Sequence, residues 1–140
     1  MSTRALTWSL VAILALLLVR RHLDVVEVRG RSMAPTLDPG DRMLVLRLGP
    51  RTGDIVLARD PRDPRRELIK RVTLIDRFGV LLRGDNPASS TDARAFGAVA
   101  REAVVWRAVL RYWPPDRVGR VPASSTPHLA PTTHPQRDPA

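Results

Sequence analysis

The chain has 140 residues, 44% of them hydrophobic, and a formal charge of +9, enough for one modest domain with tails and a packed core beside any membrane segment. Cysteine is absent, which excludes disulfides, thiol nucleophiles and Cys-based zinc sites. The three histidines, His22, His128 and His134, lie outside the expected domain, so a histidine triad or His-rich metal site has little to be built from.

Of the 23 basic residues, 22 are Arg and only Lys70 is Lys. A GC-rich genome accounts for most of that bias, but Lys70 still stands out. A desolvated lysine can lose its proton, whereas an arginine keeps its own. The arginines are scattered, aromatics make up 4%, and no helix-turn-helix, zinc or RNP-like pattern accompanies them. The charge reads mainly as a solvated surface, with attraction to a membrane second and no nucleic-acid partner.

In chain order, Ala5–Val19 is an apolar run between Arg4 and Arg20-Arg21. Its ~15 residues reach roughly 22 Å as a helix, short of a hydrocarbon core of about 30 Å, a gap that snorkelling arginines and local thinning can close. A cleaved signal peptide and a buried core helix are the rivals. Val19-Arg20-Arg21-His22 lacks a small-residue cleavage site, so a retained anchor spanning residues 1–23 is expected. Its orientation stays open, because the arginine pair after the run opposes the usual placement of an N-in anchor.

From residue 24 to 113 the pattern is short strands and tight turns, a mainly β domain. Strands are expected at Val25–Val28, Arg42–Leu48, Ile55–Arg59, Glu67–Asp76, Val80–Arg83 and Ala103–Trp113. Pro39-Gly40-Asp41 and Arg77-Phe78-Gly79 read as turns. The prolines and charges of Asp60–Arg66 predict a loop, and Gly84–Gly97 a polar loop. Residues 114–140 turn to Pro, Ser, Thr and His and read as a disordered tail.

Two segments carry chemistry. A period of two puts Leu68, Lys70, Val72 and Leu74 on one strand face and Ile69, Arg71, Thr73 and Ile75 on the other. An ammonium among aliphatic neighbours is penalised, which moves its pKa down from about 10.4, toward 5–6 under complete burial, and a neutral amine can serve as a general base. A lysine snorkelling from a strand edge fits the same periodicity. In Val28-Arg29-Gly30-Arg31-Ser32-Met33-Ala34-Pro35-Thr36-Leu37 a strand ends, a glycine permits a sharp turn, and Ser32 follows among backbone N–H groups that could form an oxyanion hole. Loop serines are common, and neither a Gly-x-Ser-x-Gly elbow nor a Ser-x-x-Lys signature is present.

Taken together, four segments resemble the type I signal peptidases, Ser-Lys serine peptidases of the S26 type. Ser32–Leu37 with Gly40-Asp41 is similar to their nucleophile box, and Gly53-Asp54-Ile55-Val56 to the short box that follows. Leu68-Ile69-Lys70-Arg71-Val72 looks like the lysine box. Gly84-Asp85-Asn86, Ser90, Asp92, Arg94 and Phe96-Gly97 resemble the last box. The resemblance covers residues 25–113 and implies a β-rich core, of the kind shared with self-cleaving repressors, behind one hydrophobic anchor helix.

It further implies Ser32 as nucleophile and Lys70 as base, with Ser90 orienting the amine, Asp92 paired with Arg94, and Asp85 paired with Arg71. Met33 and Pro35 would lie at the substrate pocket, and neither metal nor cofactor is implied. The expected substrate is a preprotein or propeptide cut after small residues, at a bacterial plasma membrane with the core on the extracytoplasmic side. Two positions depart from the family pattern. Gly30 stands where some members carry an oxyanion-supporting hydroxyl, and Arg31 stands where glycine is often found. A dedicated maturation protease of the same family, such as one trimming the propeptide of nickel superoxide dismutase, is the nearer alternative. A non-enzymatic membrane-tethered β-domain is the alternative from another class. Oligomeric state is not legible.

Overall fold

The computed structural model describes residues 3–90 and 93–123. Helix α1, Thr3–His22, has 20 residues, so it spans about 30 Å. The polar flanks continue the helix beyond the apolar run and bring its length to that of a hydrocarbon core. It is long and apolar enough to cross a membrane, with a mean hydropathy of 1.6, and none of it is buried against the domain. The chain passes from α1 straight into the sheet, where the His22 carbonyl accepts a hydrogen bond from Arg47 N–H at 2.9 Å.

Seven antiparallel strands follow, in agreement with the mainly β expectation: β1 Leu23–Glu27, β2 Arg42–Leu46, β3 Ile55–Asp60, β4 Asp63–Asp76, β5 Gly79–Arg83, β6 Val104–Trp113 and β7 Gly119–Arg120. Their order is β1-β2-β6-β3-β4-β5, with β7 added to β6. The central strand β3 is buried on both faces over Ile55–Ala58, which read as a short apolar run before Arg59 and Asp60. Ile55 joins a core cluster with Val28, Met33, Leu37, Met43, Val45 and Ala108. Its neighbour Val56 points the other way, into a second cluster with Ala58, Val72, Val80, Leu82, Val99 and Val104. Each fully buried aliphatic side chain here contributes ~1.5–3 kcal/mol.

Four sequence expectations need correction. Asp60–Arg66 is not a loop: β4 begins at Asp63, and only a two-residue turn separates it from β3. Pro64 is tolerated because, among the described residues, no strand pairs with the outer edge of β4 before Arg71, so its missing N–H removes no ladder bond there. The strict alternation along β4 fails at Thr73, where the pairing shifts from Val72↔Leu82 to Leu74↔Leu81. This bulge turns Leu74 out to 49% exposure and brings Ile75 against the second core cluster. The stretch 84–97 includes a 3-10 turn at Pro87–Ser89 and a one-turn helix, α2, at Ala93–Phe96.

The core also does not end at Trp113. Residues 114–123 form a 3-10 turn and β7, and Val121 packs on the first core cluster. A two-residue strand between prolines carries no periodic signal, which is why composition alone ended the domain early. The remainder of the expected tail, 124–140, lies outside the described residues.

Candidate active site

The loop bearing Ser32 is set by hydrogen bonds at its base. Val28 N–H donates to Asp41 O and Gly40 N–H to Val28 O, both at 2.8 Å, so the Pro39-Gly40-Asp41 turn closes back on the end of β1. Gly40 has φ +93°, which favours glycine there. Inside the loop, Met33 and Leu37 are fully buried and act as apolar plugs. Leu37 N–H donates to Met33 O at 2.9 Å and Ala34 N–H to Arg31 O at 3.2 Å. Packing these two side chains inward leaves Ser32 half-buried at the rim.

Lys70 comes from β4, opposite Val56 of β3 and between Leu68 and Val72 on its own face. Only 3% of it is exposed. Its Nζ donates a hydrogen bond to Ser90 Oγ at 2.7 Å.

The segment after β5 joins the two strips. Asn86 N–H donates to Ser32 O at 2.9 Å, and Asn86 Nδ2 to Arg31 O at 3.1 Å. Gly84 lies in the crevice between them: a Cβ there would fall 2.5 Å from Ser32 O and collide with the Ser90 hydroxyl. Only glycine lets the Ser32 backbone and the Ser90 side chain approach this closely.

Asp85 accepts two hydrogen bonds from Arg71, Nε at 2.8 Å and Nη2 at 2.7 Å, and a third from Thr36 Oγ1 at 2.6 Å. Arg71 Nη1 also donates to the carbonyls of Gly53 (2.8 Å) and Pro122 (2.9 Å). Partial burial pushes the Asp85 carboxyl upward. The Arg71 and Thr36 hydrogen bonds and the guanidinium charge outweigh it and hold the group below the usual carboxylate range. One carboxylate thus ties the serine loop to the strand that carries the lysine.

Ser32, Met33, Lys70 and Ser89 line one open cleft of about 1170 Å³, with Leu57, Leu68 and Ile69 as apolar lining. Val25–Arg31, Arg59 and Asp63–Glu67 contribute the rest. Among the described residues β1 pairs only with β2, and β4 before Arg71 only with β3. Each therefore has an unpaired strand edge, of the sort that an extended peptide can join by main-chain hydrogen bonds.

Of the residues expected at the site, Ser32, Met33 and Lys70 line the cleft, Ser90 bonds Lys70, and Asp85 and Arg71 brace the two sides from behind. Pro35 is not brought in; it is exposed in the turn and does not line the cleft. The Asp92–Arg94 expectation rests on side chains outside the described residues. Among the described residues no three His, Asp or Glu side chains gather where they could hold a metal.

A second brace was invisible in the sequence. Buried Asp41 accepts from Arg111 Nη1 and Arg117 Nη1, each at 3.3 Å, and from Asp38 N–H at 3.0 Å. Arg111 Nη1 reaches the Thr36 carbonyl at 3.1 Å as well. These partners lie some seventy residues apart along the chain, and no local pattern announces them.

A serine at the rim and a buried primary amine thus share a cleft bordered, among the described residues, by two unpaired strand edges. Comparison with known proteins gives a peptidase family. Residues 2–75 match the family model described as Signal peptidase, peptidase S26, and the chain belongs to this family. It is 34% identical to the mitochondrial ATP-independent inner membrane protease subunit 1a of Arabidopsis thaliana, over 71% of this chain and 76% of that one. It is 30% identical to the human mitochondrial inner membrane protease subunit 1 (74% and 78% covered) and 29% identical to subunit 2 of Saccharomyces cerevisiae (68% and 71%).

Proposed function

We propose that this protein is a membrane-anchored serine endopeptidase in which Ser32 is the nucleophile and Lys70 the general base, removing signal peptides or propeptides after small residues. The observation that carries the reading is Lys70, a buried lysine on the cleft that holds Ser32, with its amine oriented by Ser90 at 2.7 Å. A neutral amine that donates one N–H to Ser90 keeps its lone pair for another proton.

Lys70 takes the Ser32 hydroxyl proton as Oγ attacks the scissile carbonyl carbon. The resulting ammonium then delivers that proton to the leaving amine as the C–N bond breaks, leaving an ester on Ser32. Water, deprotonated by Lys70, attacks the ester and releases the acid. The proton returns to Ser32. The Ser32 N–H has no hydrogen-bond acceptor among the described residues and serves as the donor to the developing oxyanion in this reading. Gly30 brings no hydroxyl, so the oxyanion rests on backbone donors.

The free edges of β1 and β4 hold the substrate extended, and the apolar lining beside Ser32 suits small apolar side chains before the bond. Anchor (residues 1–23), peptidase core and tail are the working parts. The core extends to residue 123, and α1 stays in the membrane. The relatives are named as inner membrane proteases; for this chain the corresponding place is a bacterial plasma membrane with the core extracytoplasmic.

The test is cleavage of a preprotein by the full chain in detergent. Ser32→Ala and Lys70→Ala each lower the rate by about ten-thousand-fold or more. Lys70→Arg is equally inactive, because a guanidinium does not give up its proton. Cleavage that survives these changes rejects the assignment and leaves an anchored β-domain with a different role.

A further inference from the structure

We propose that the cleft selects peptides carrying carboxylates within a few residues of the scissile bond, through Arg29 and Arg31. The inference rests on the peptidase reading above and adds a charge preference to it.

The charges lining the cleft are unevenly compensated. Asp63 is held by Arg65 at 3.2 Å, and Glu27 by Arg42, outside the cleft, at 3.6 Å. Glu67 stands directly across from Arg59 in the β3–β4 register. Arg66 acts on Asp60 only from a distance, since Asp60 is held chiefly by Arg62 at 2.8 Å. Arg29, Arg31, Arg59 and Arg66 have no carboxylate in ion-pair reach among the described residues, and of these Arg29 and Arg31 are exposed on the segment that carries Ser32. They flank Gly30, which has open space around it, and Arg31 is next to Ser32.

The backbone at Arg31 is fixed, since its carbonyl accepts from Asn86 Nδ2 and from Ala34 N–H. Its guanidinium therefore starts from a set point at the rim. A peptide lying extended along β1 with its reacting carbonyl at Ser32 advances about 3.3 Å per residue. The residues nearest the bond then come beneath these two side chains. Guanidinium groups match carboxylates in bidentate geometry. Exposed pairs are individually weak and screened by salt, so each contact is worth a few-fold and the two together about tenfold at low ionic strength.

The experiment uses the full chain in detergent and matched fluorescent peptides with Asp, Ala or Lys at the two positions on each side of a small-residue cleavage site. Expected is a kcat/KM for the Asp peptides about tenfold above the Ala peptides and further above the Lys peptides, collapsing at high salt. Arg29→Glu combined with Arg31→Glu inverts that order. A charge-independent kcat/KM, or a preference that survives the double substitution, overturns the proposal.

The same peptides are titrated by anisotropy onto Ser32→Ala. If no peptide is cleaved but Asp peptides bind more tightly in an arginine-dependent way, the peptidase reading falls and the recognition stands. Equal binding of all three peptides rejects the recognition whatever the cleavage result. Should the double variant lose binding to phosphatidylglycerol vesicles while the peptide preference is unchanged, the arginines serve the lipid surface and the proposal is wrong.

Discussion

Asp85→Asn removes the carboxylate that joins the serine loop to the lysine strand. Arg71 is 10% exposed in its side chain and Asp85 17%, so the pair is largely shielded from solvent. Removing one partner of a buried ion pair costs about 3–5 kcal/mol, because the other charge is left uncompensated. The carbonyls of Gly53 and Pro122 still accept from the guanidinium after the change. That places the cost at the lower end, ~3 kcal/mol. For a core of this size it lowers Tm by roughly 12–24 °C.

The assay is thermal unfolding of wild type and variant in detergent across a pH series. The folded-state pKa of Asp85 is depressed, so its contribution is complete above the unfolded carboxylate value of about 3.9 and is lost as pH falls through the lower folded value. The two Tm curves are therefore far apart at neutral pH and converge in acid. A difference under ~0.5 kcal/mol at pH 7, or one that stays constant into strong acid, refutes the reasoning.

Other outcomes follow from the same geometry. Gly84→Ala forces a Cβ onto the Ser90 hydroxyl and against the Ser32 carbonyl. It lowers kcat/KM by about a hundredfold or more while circular dichroism keeps the sheet signature, because displacing groups by an ångström is costly to catalysis. Asp41→Ala strands the guanidinium groups of Arg111 and Arg117 beside a buried gap. It destabilises the fold by about 3 kcal/mol in denaturant titration; a loss under ~1 kcal/mol shows that the arginines find other partners.

Much of the fold was legible because most strands show a period of two or a short apolar run between turn residues. The alternation that places Leu68, Lys70 and Val72 on one face holds up to the bulge at Thr73. Beyond it the faces exchange, and a bulge is set by the partner strand, which a single-strand pattern does not report. Pro64 misled for a related reason. A proline disfavours a paired strand but not an unpaired edge, and edge position is a property of the whole sheet.

At the site, the order of the motif segments brought Ser32, Lys70, Asp85, Arg71 and Ser90 to one neighbourhood. Pro35 was expected there from the family resemblance, yet it is exposed and does not line the cleft, whereas Met33 does. Asp41 with Arg111 and Arg117 was missed because long-range ion pairs leave no trace in local spacing. Arg31 stood out only as a departure from glycine beside Ser32, and Arg29 only as composition, until the cleft placed both along its lining.

Everything mechanistic depends on an acyl group passing through Ser32 under the control of Lys70. The most direct measurement is rapid acid quench of the detergent-solubilised full chain during turnover of a peptide ester, with the adduct located by mass spectrometry. The expected result is a transient acyl group on Ser32, absent in Ser32→Ala and in Lys70→Arg. An adduct on another residue, or undiminished turnover in either variant, contradicts Ser-Lys catalysis in this protein.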